Sequence, residues 1–208
     1  MQAETAIAMN RDANKQRCLS PKAAGIFKWM ALPIDSQPPE AALFRTILFG
    51  PYAQAVDVPQ LAQASGLLPR VTAQALFALQ QDDSIAVKLA ADEAPEASRD
   101  WTGLNLALCA LSAKMNGAAL ALAEGSGLCV ASANADPKNA QRLAAGQQAP
   151  EFSRPFERLI FFIGAHPFSI TSDALFIKND PGWLDLFRCL AVLATNPPSS
   201  SFAGANSL

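Results

Sequence analysis

The sequence predicts an α+β fold in two units: a helix-rich N-terminal unit, and a C-terminal unit ordered α-β-β-α-β-β(-β)-α. Three observations carry that expectation. Val58 to Val87 reads as two helices around Gly66, closed by a short β-like run at Ile85–Val87. Trp101–Met115 and the stretch after Pro181 carry apolar residues at helical spacing. Between them, GAALALAE, LCVASA, ERLIFFIG and SITSDALFIK are short apolar runs of strand length.

Residues 1–38 form a leader, partly helical or disordered. It starts polar and basic, then carries Ile26, Phe27 and Trp29 in a short helix near Pro21–Ala31, where aromatic residues most often mean packing. Leu32-Pro33 and Gln37-Pro38-Pro39 close it, because proline disfavours continued helix. Residues 39–92 supply three helices. Glu40–Ala53 holds Leu43, Ile47 and Phe44, Leu48 at i, i+4 spacing. Asp57 is placed to cap the second helix, and Pro69 to sit in the first turn of the third. The acidic linker ADEAPEASRD follows and divides the chain, and residues 98–197 make the second unit.

In that unit Leu104, Leu108, Leu111 and Met115 line one helical stripe. Gly125-Ser126-Gly127 suits a hairpin between two strands, with Leu120 and Leu122 on one face and Ala119, Ala121 and Ala123 on the other. Asp136-Pro137 opens a short helix to about Ala145, with Gly146 to end it. The next two strands are expected around a turn at His166-Pro167. Asp180-Pro181 then caps a helix buried through Trp183, Leu186, Phe187, Leu190 and Leu193. The tail NPPSSSFAGANSL, residues 198–208 above all, reads as disordered.

Composition narrows the function classes. Of 208 residues, 50% are hydrophobic and 16% charged, a globular balance. A formal charge of −2 recruits neither nucleic acid nor an anionic membrane. No apolar run approaches the roughly 20 residues that span a bilayer, and the N-terminus lacks a secretory apolar region, so a cytoplasmic location is expected. Cys18, Cys109, Cys129 and Cys189 are scattered, with no C-x-x-C pair. They are expected as reduced structural thiols, Cys109 and Cys189 within apolar helical patterns. His166 is the single histidine. No metal, no cofactor and no enzymatic activity are expected, since zinc and His-based chemistry lack their ligands.

The element order from Trp101 to Thr195, with GAALALAEGSGLCVASA as its most similar stretch, resembles the Roadblock (dynein light-chain-like) family. Profilin-like and GAF-like modules share parts of that order. The resemblance implies a non-enzymatic protein that dimerises by extending a sheet and pairing the middle helix, and that acts on small GTPases. The middle helix Pro137–Ala145 is shorter here than that pattern expects. Residues 40–88 resemble winged-helix domains in general, in which the third helix enters the major groove.

Arg70, Thr72, Gln74 and Lys88 are therefore the candidate contacts to DNA or to a protein partner. Acidic residues outnumber basic ones from Leu43 through Asp100, and phosphate contacts supply most non-specific affinity, so a protein partner is favoured over DNA. His166, Ser169, Ser172 and Asp173 lie close in sequence, but local turn and strand roles are favoured over a triad. Gly125-Ser126-Gly127 lacks the Lys and Ser/Thr of a phosphate loop. Leu159–Ile163 places apolar bulk on both faces of one strand: either a central strand, or one partly buried by a second subunit through Ile160 and Phe162. The first reading is thus a regulatory or adaptor protein that homodimerises and binds a protein partner, with a small GTPase as one class. The alternative is a DNA-binding transcriptional regulator with a C-terminal small-molecule sensor.

Overall fold

The computed structural model describes residues 17–50, 54–89, 100–147 and 157–195, which form a mixed α+β structure with two small antiparallel sheets. The chain enters through β1 (Arg17–Pro21) and α1 (Ala23–Trp29). It continues through α2 (Pro39–Phe49), β2 (Gln54–Ala55), α3 (Val58–Ser65), α4 (Pro69–Gln81) and β3 (Ile85–Leu89). The Asp57 carboxylate accepts the Gln60 N–H at 3.2 Å and caps α3. Gly66 takes φ +69° at its C-terminal end, where a side chain would be strained.

The leader behaves differently from its expectation. Residues 17–21 form the central strand of the first sheet, ordered β2-β1-β3, and pair with β3 from Arg17↔Leu89 to Pro21↔Ile85. RCLSP is too short and too mixed to announce a strand, and its stability comes from neighbours on both sides. Ile26 and Trp29 are buried, as their apolar character predicts.

The second sheet is built from β4 (Leu120–Glu124), β5 (Cys129–Ala133), β6 (Glu157–Ile163) and β7 (His166–Ser172), ordered β5-β4-β7-β6. Helices α5 (Trp101–Lys114) and α7 (Gly182–Thr195) pack on the face carrying Leu120, Leu122, Phe161 and Ile170. Helix α6 (Pro137–Ala144) sets Leu143 and Ala144 on the opposite face, against Ala119, Ala121 and Ala123. Strand alternation explains the division: the leucines face two helices, and the alanines admit one short helix at close range.

The turn between β6 and β7 lies at Gly164-Ala165, not at His166-Pro167. Both of those residues belong to β7, with Ile163↔His166 and Phe162↔Pro167 in register. Proline is tolerated in this inner strand because β4 stops pairing at Glu124↔Phe168, so the N–H that Pro167 lacks would face beyond the end of β4. The Pro167 ring instead fills the space beside Gly125, where an added Cβ would lie 2.5 Å from Pro167 Cγ. Cys109 also departs from expectation, lying on the exposed side of α5, while Cys18 and Cys189 are buried and all four cysteines are free thiols.

The two halves share one hydrophobic core that runs from Leu19, Ile26 and Phe44 to Trp183, Phe187 and Leu190. Phe27 bridges them, its ring 5.1 Å from Trp183 edge-on and 5.8 Å from Phe176. Two polar contacts also cross over: Phe162 N–H donates to the Met30 carbonyl at 3.2 Å, and Arg188 Nε to the Leu48 carbonyl at 3.3 Å. The proposed linker ADEAPEASRD except Asp100, residues 1–16 of the leader and the tail beyond Thr195 lie outside the described residues.

Candidate functional site

Three regions present chemistry at the surface: the outward face of α4, the free edge of β6, and a cleft at the hairpin tips of the second sheet.

The buried stripe of α4 runs through Thr72, Ala75, Leu76 and Leu79. Thr72 is therefore not a contact residue: its side chain is fully buried and its hydroxyl donates to the Leu68 carbonyl at 3.1 Å. Arg70, Gln74 and Lys88 are exposed. Two apolar residues share this region with them, Leu68 at 72% and Phe77 at 63% exposure. Phe77 falls off the Leu76, Leu79 stripe, so helical periodicity already marked it as an outward aromatic.

At the end of α4, Lys28 pairs with Asp82 at 2.6 Å and Lys22 pairs with Asp83. Burial raises the Asp82 carboxyl, but hydrogen bonds from Lys28 and Ser84 outweigh it and hold the group below the usual carboxylate range. These lysines answer local acids, so they add no free positive field. Arg70 and Lys88 are the cations of α4 and β3.

Strand β6 lies at the edge of its sheet, with Leu159, Phe161 and Ile163 buried toward α5 and α7. Ile160 points to the other face and is 53% exposed, whereas Phe162 is half-buried. Phe162 gives its N–H outward to Met30. By alternation, the peptide groups of Arg158 and Ile160 also point outward. Met30 occupies the far end of this edge, leaving Glu157–Phe161 without a neighbouring strand among the described residues.

The cleft has a volume of about 460 Å³ and continues the leucine face of the sheet past Leu122 toward the turns. Trp101 from the start of α5 and Leu190 and Leu193 from the last turns of α7 form its helical wall. Phe168 forms part of its floor, stacked 5.8 Å from Phe161. A bulge in β5 opposite Leu122/Ala123 leaves Val130 as an extra residue in the ladder, and Val130 lines the cleft. Glu124 shares the face of Leu120 and Leu122, so it sets a carboxylate at the cleft beside Ser126 and His166. Its Oε1 accepts the Ser126 hydroxyl at 2.7 Å. Alternation of 120, 122 and 124 was legible in the sequence; the bulge that adds Val130 was not.

His166 sits at the cleft, but the residues near it in sequence do not join it. Asp173 lies beyond the other end of β7, roughly 20 Å along the strand, where its carboxylate accepts the Ala119 N–H at 2.8 Å. Ser169 is buried and its hydroxyl accepts from Arg158 at 3.0 Å, and Ser172 accepts the Ala174 N–H at 3.0 Å. Burial pushes the Cys129 thiol up, away from the thiolate form. Among the described residues no group of three His, Cys, Asp or Glu is placed to hold a metal ion, and no helix is long and apolar enough to cross a membrane. No protein-family model matches the chain, and no curated protein or solved structure is significantly similar to it.

Proposed function

We propose that this chain is a non-enzymatic regulatory or adaptor protein that pairs with a second copy through the β6 region and receives a protein partner on α4. The observation that carries the reading is Ile160: a large aliphatic side chain, half in water, on a strand whose outward peptide groups have no neighbouring strand among the described residues. Burying such an edge in a closed pair is how many proteins keep it from pairing at random. Met30 confines an added strand to Glu157–Phe161, so Ile160 rather than Phe162 is the residue a second copy meets.

The α4 surface supports a protein partner over DNA. Protein interfaces are anchored by exposed aromatic side chains such as Phe77, whereas groove binding needs a surplus of cations that Arg70 and Lys88 do not make. A small GTPase is one partner class consistent with the Roadblock-like order of the second unit. Sedimentation of the full chain at high micromolar concentration tests the pairing: a dimer is expected, and Ile160→Asp should return it to monomer with an unchanged circular dichroism spectrum. Ile160 is exposed, so the new charge enters water in the monomer. A wild-type chain that stays monomeric defeats the reading.

A further inference from the structure

We infer that the cleft between the hairpin tips, Trp101 and the end of α7 binds a small organic ammonium with an apolar body. Its volume of about 460 Å³ falls within the range of small-ligand sites, which are apolar pockets with a few placed polar groups. The apolar part is supplied by Val130, Phe168, Leu190 and Leu193. What selects the head group is charge. The lining contains a carboxylate, Glu124, and the imidazole of His166, and no lysine or arginine.

Three features act in the same direction. Glu124 stands at the exposed end of the cleft face of β4, where its carboxylate attracts a cation that enters beside Val130 and Phe168. Trp101 brings an indole to the same site, and indole is the best aromatic partner for an ammonium. Leu193 lies in the last described turn of α7, so the C-terminal, negative side of that helix faces the cleft rather than its positive side. The opposite dipole end, at α5, is answered by Asp100, whose carboxylate accepts the Gly103 N–H at 2.7 Å. An anionic ligand would meet the Glu124 carboxylate with no lysine or arginine in the lining to answer it, and a wholly apolar one would leave the carboxylate facing it.

The bulge at Val130 gives this reading a structural basis. It interrupts the β4–β5 ladder beside the cleft and adds a side chain to its lining, an arrangement that recurs where strands border binding sites.

The test uses the full chain, with phenethylammonium as probe and phenylpropionate as its anionic counterpart carrying the same ring. Calorimetric titration should show saturable binding of the ammonium, at least about tenfold tighter than the carboxylate. Indole fluorescence should change during the same titration, and Trp101→Phe should remove that change. Glu124→Gln keeps an acceptor for Ser126 and should abolish the preference for the ammonium while the circular dichroism spectrum stays as in the wild type. No binding of phenethylammonium up to about 1 mM, equal binding of both probes, or a preference that survives Glu124→Gln would overturn the inference. The oligomeric state plays no part in this measurement, so it fails separately from the pairing through Ile160.

Discussion

Gly25→Ala should destabilise the protein, against the direction that helix propensity alone dictates. In an exposed helix interior, alanine gains about 1 kcal/mol over glycine. Gly25 is instead buried in α1, facing α2, and a Cβ there would lie 2.7 Å from Phe44 Cζ and 3.2 Å from Ser84 Cβ. Phe44 is fully buried, so its ring has no free volume into which to swing. Nor can α1 retreat easily. Trp29 Nε1 donates to Ser84 Oγ at 2.8 Å, and Lys22 N–H donates to the Ser84 carbonyl at 2.8 Å, pinning the helix near both ends.

Overpacking of this kind costs about 1–3 kcal/mol, and the pinned geometry argues for the upper half. Net of propensity, a loss of about 1–2 kcal/mol is expected, which lowers the melting temperature by about 3–6 °C in a chain this long. Urea unfolding should show a lower midpoint at unchanged slope. The double variant Gly25→Ala/Phe44→Leu should recover part of the loss, a coupling of about 1 kcal/mol between the two sites. A Gly25→Ala protein as stable as the wild type, or more so, would refute the close approach of α1 to α2.

Arg45 is buried with its guanidinium donating to the Leu32 carbonyl and the Gln37 side chain, and more weakly to the carbonyls of Trp29 and Met30. Arg45→Met should cost about 2 kcal/mol in urea unfolding, because it takes the guanidinium donor from the Trp29 and Leu32 carbonyls, whereas Met30 keeps the Phe162 N–H. Asp136 caps α6, and its hydrogen bonds, first that from the Asn139 N–H, hold its carboxyl below the usual range. A depressed folded value means the stabilisation is present above the unfolded pKa of about 3.9 and is lost as pH falls through the folded value. Asp136→Asn should therefore flatten the acid limb of the stability curve below about pH 4. Lys28→Met should raise the Asp82 carboxyl in an NMR titration, since burial then acts with less opposition. If α4 receives a protein partner as proposed, Thr72→Val should leave that binding unchanged and Phe77→Ala should weaken it, because Thr72 faces the core and Phe77 the solvent.

What could be read from the sequence divides along physical lines. Elements with their own periodicity and caps were legible: α4 spans Pro69–Gln81 as its spacing predicts, and Asp57, Gly66 and Asp136 sit at helix ends as their chemistry requires. The two faces of β4 followed from alternation of leucine and alanine. What was hidden depends on distant partners. RCLSP becomes a strand only because β2 and β3 flank it. His166-Pro167 looked like a turn by composition, but its place in β7 is set by pairing with Phe162 and Ile163. Thr72 seemed a contact because helical position was read without the hydroxyl's return to Leu68. The cleft was the least visible feature, since Trp101, Glu124, Phe168 and Leu193 meet only in three dimensions.

Helix α1 ties these regions into one mechanical unit. Ser84, between α4 and β3, accepts from the Lys22 N–H at one end and from the Trp29 indole at the other, where Arg45 from α2 gathers the carbonyls of Trp29 and Met30. Between them Phe27 packs on Trp183 of α7, and Met30 closes the end of the β6 edge. The same short helix thus borders the α4 surface, the edge that carries Ile160, and the helix whose last turns wall the cleft. Each contact is local, but they are joined through a core packed too closely for one to shift alone.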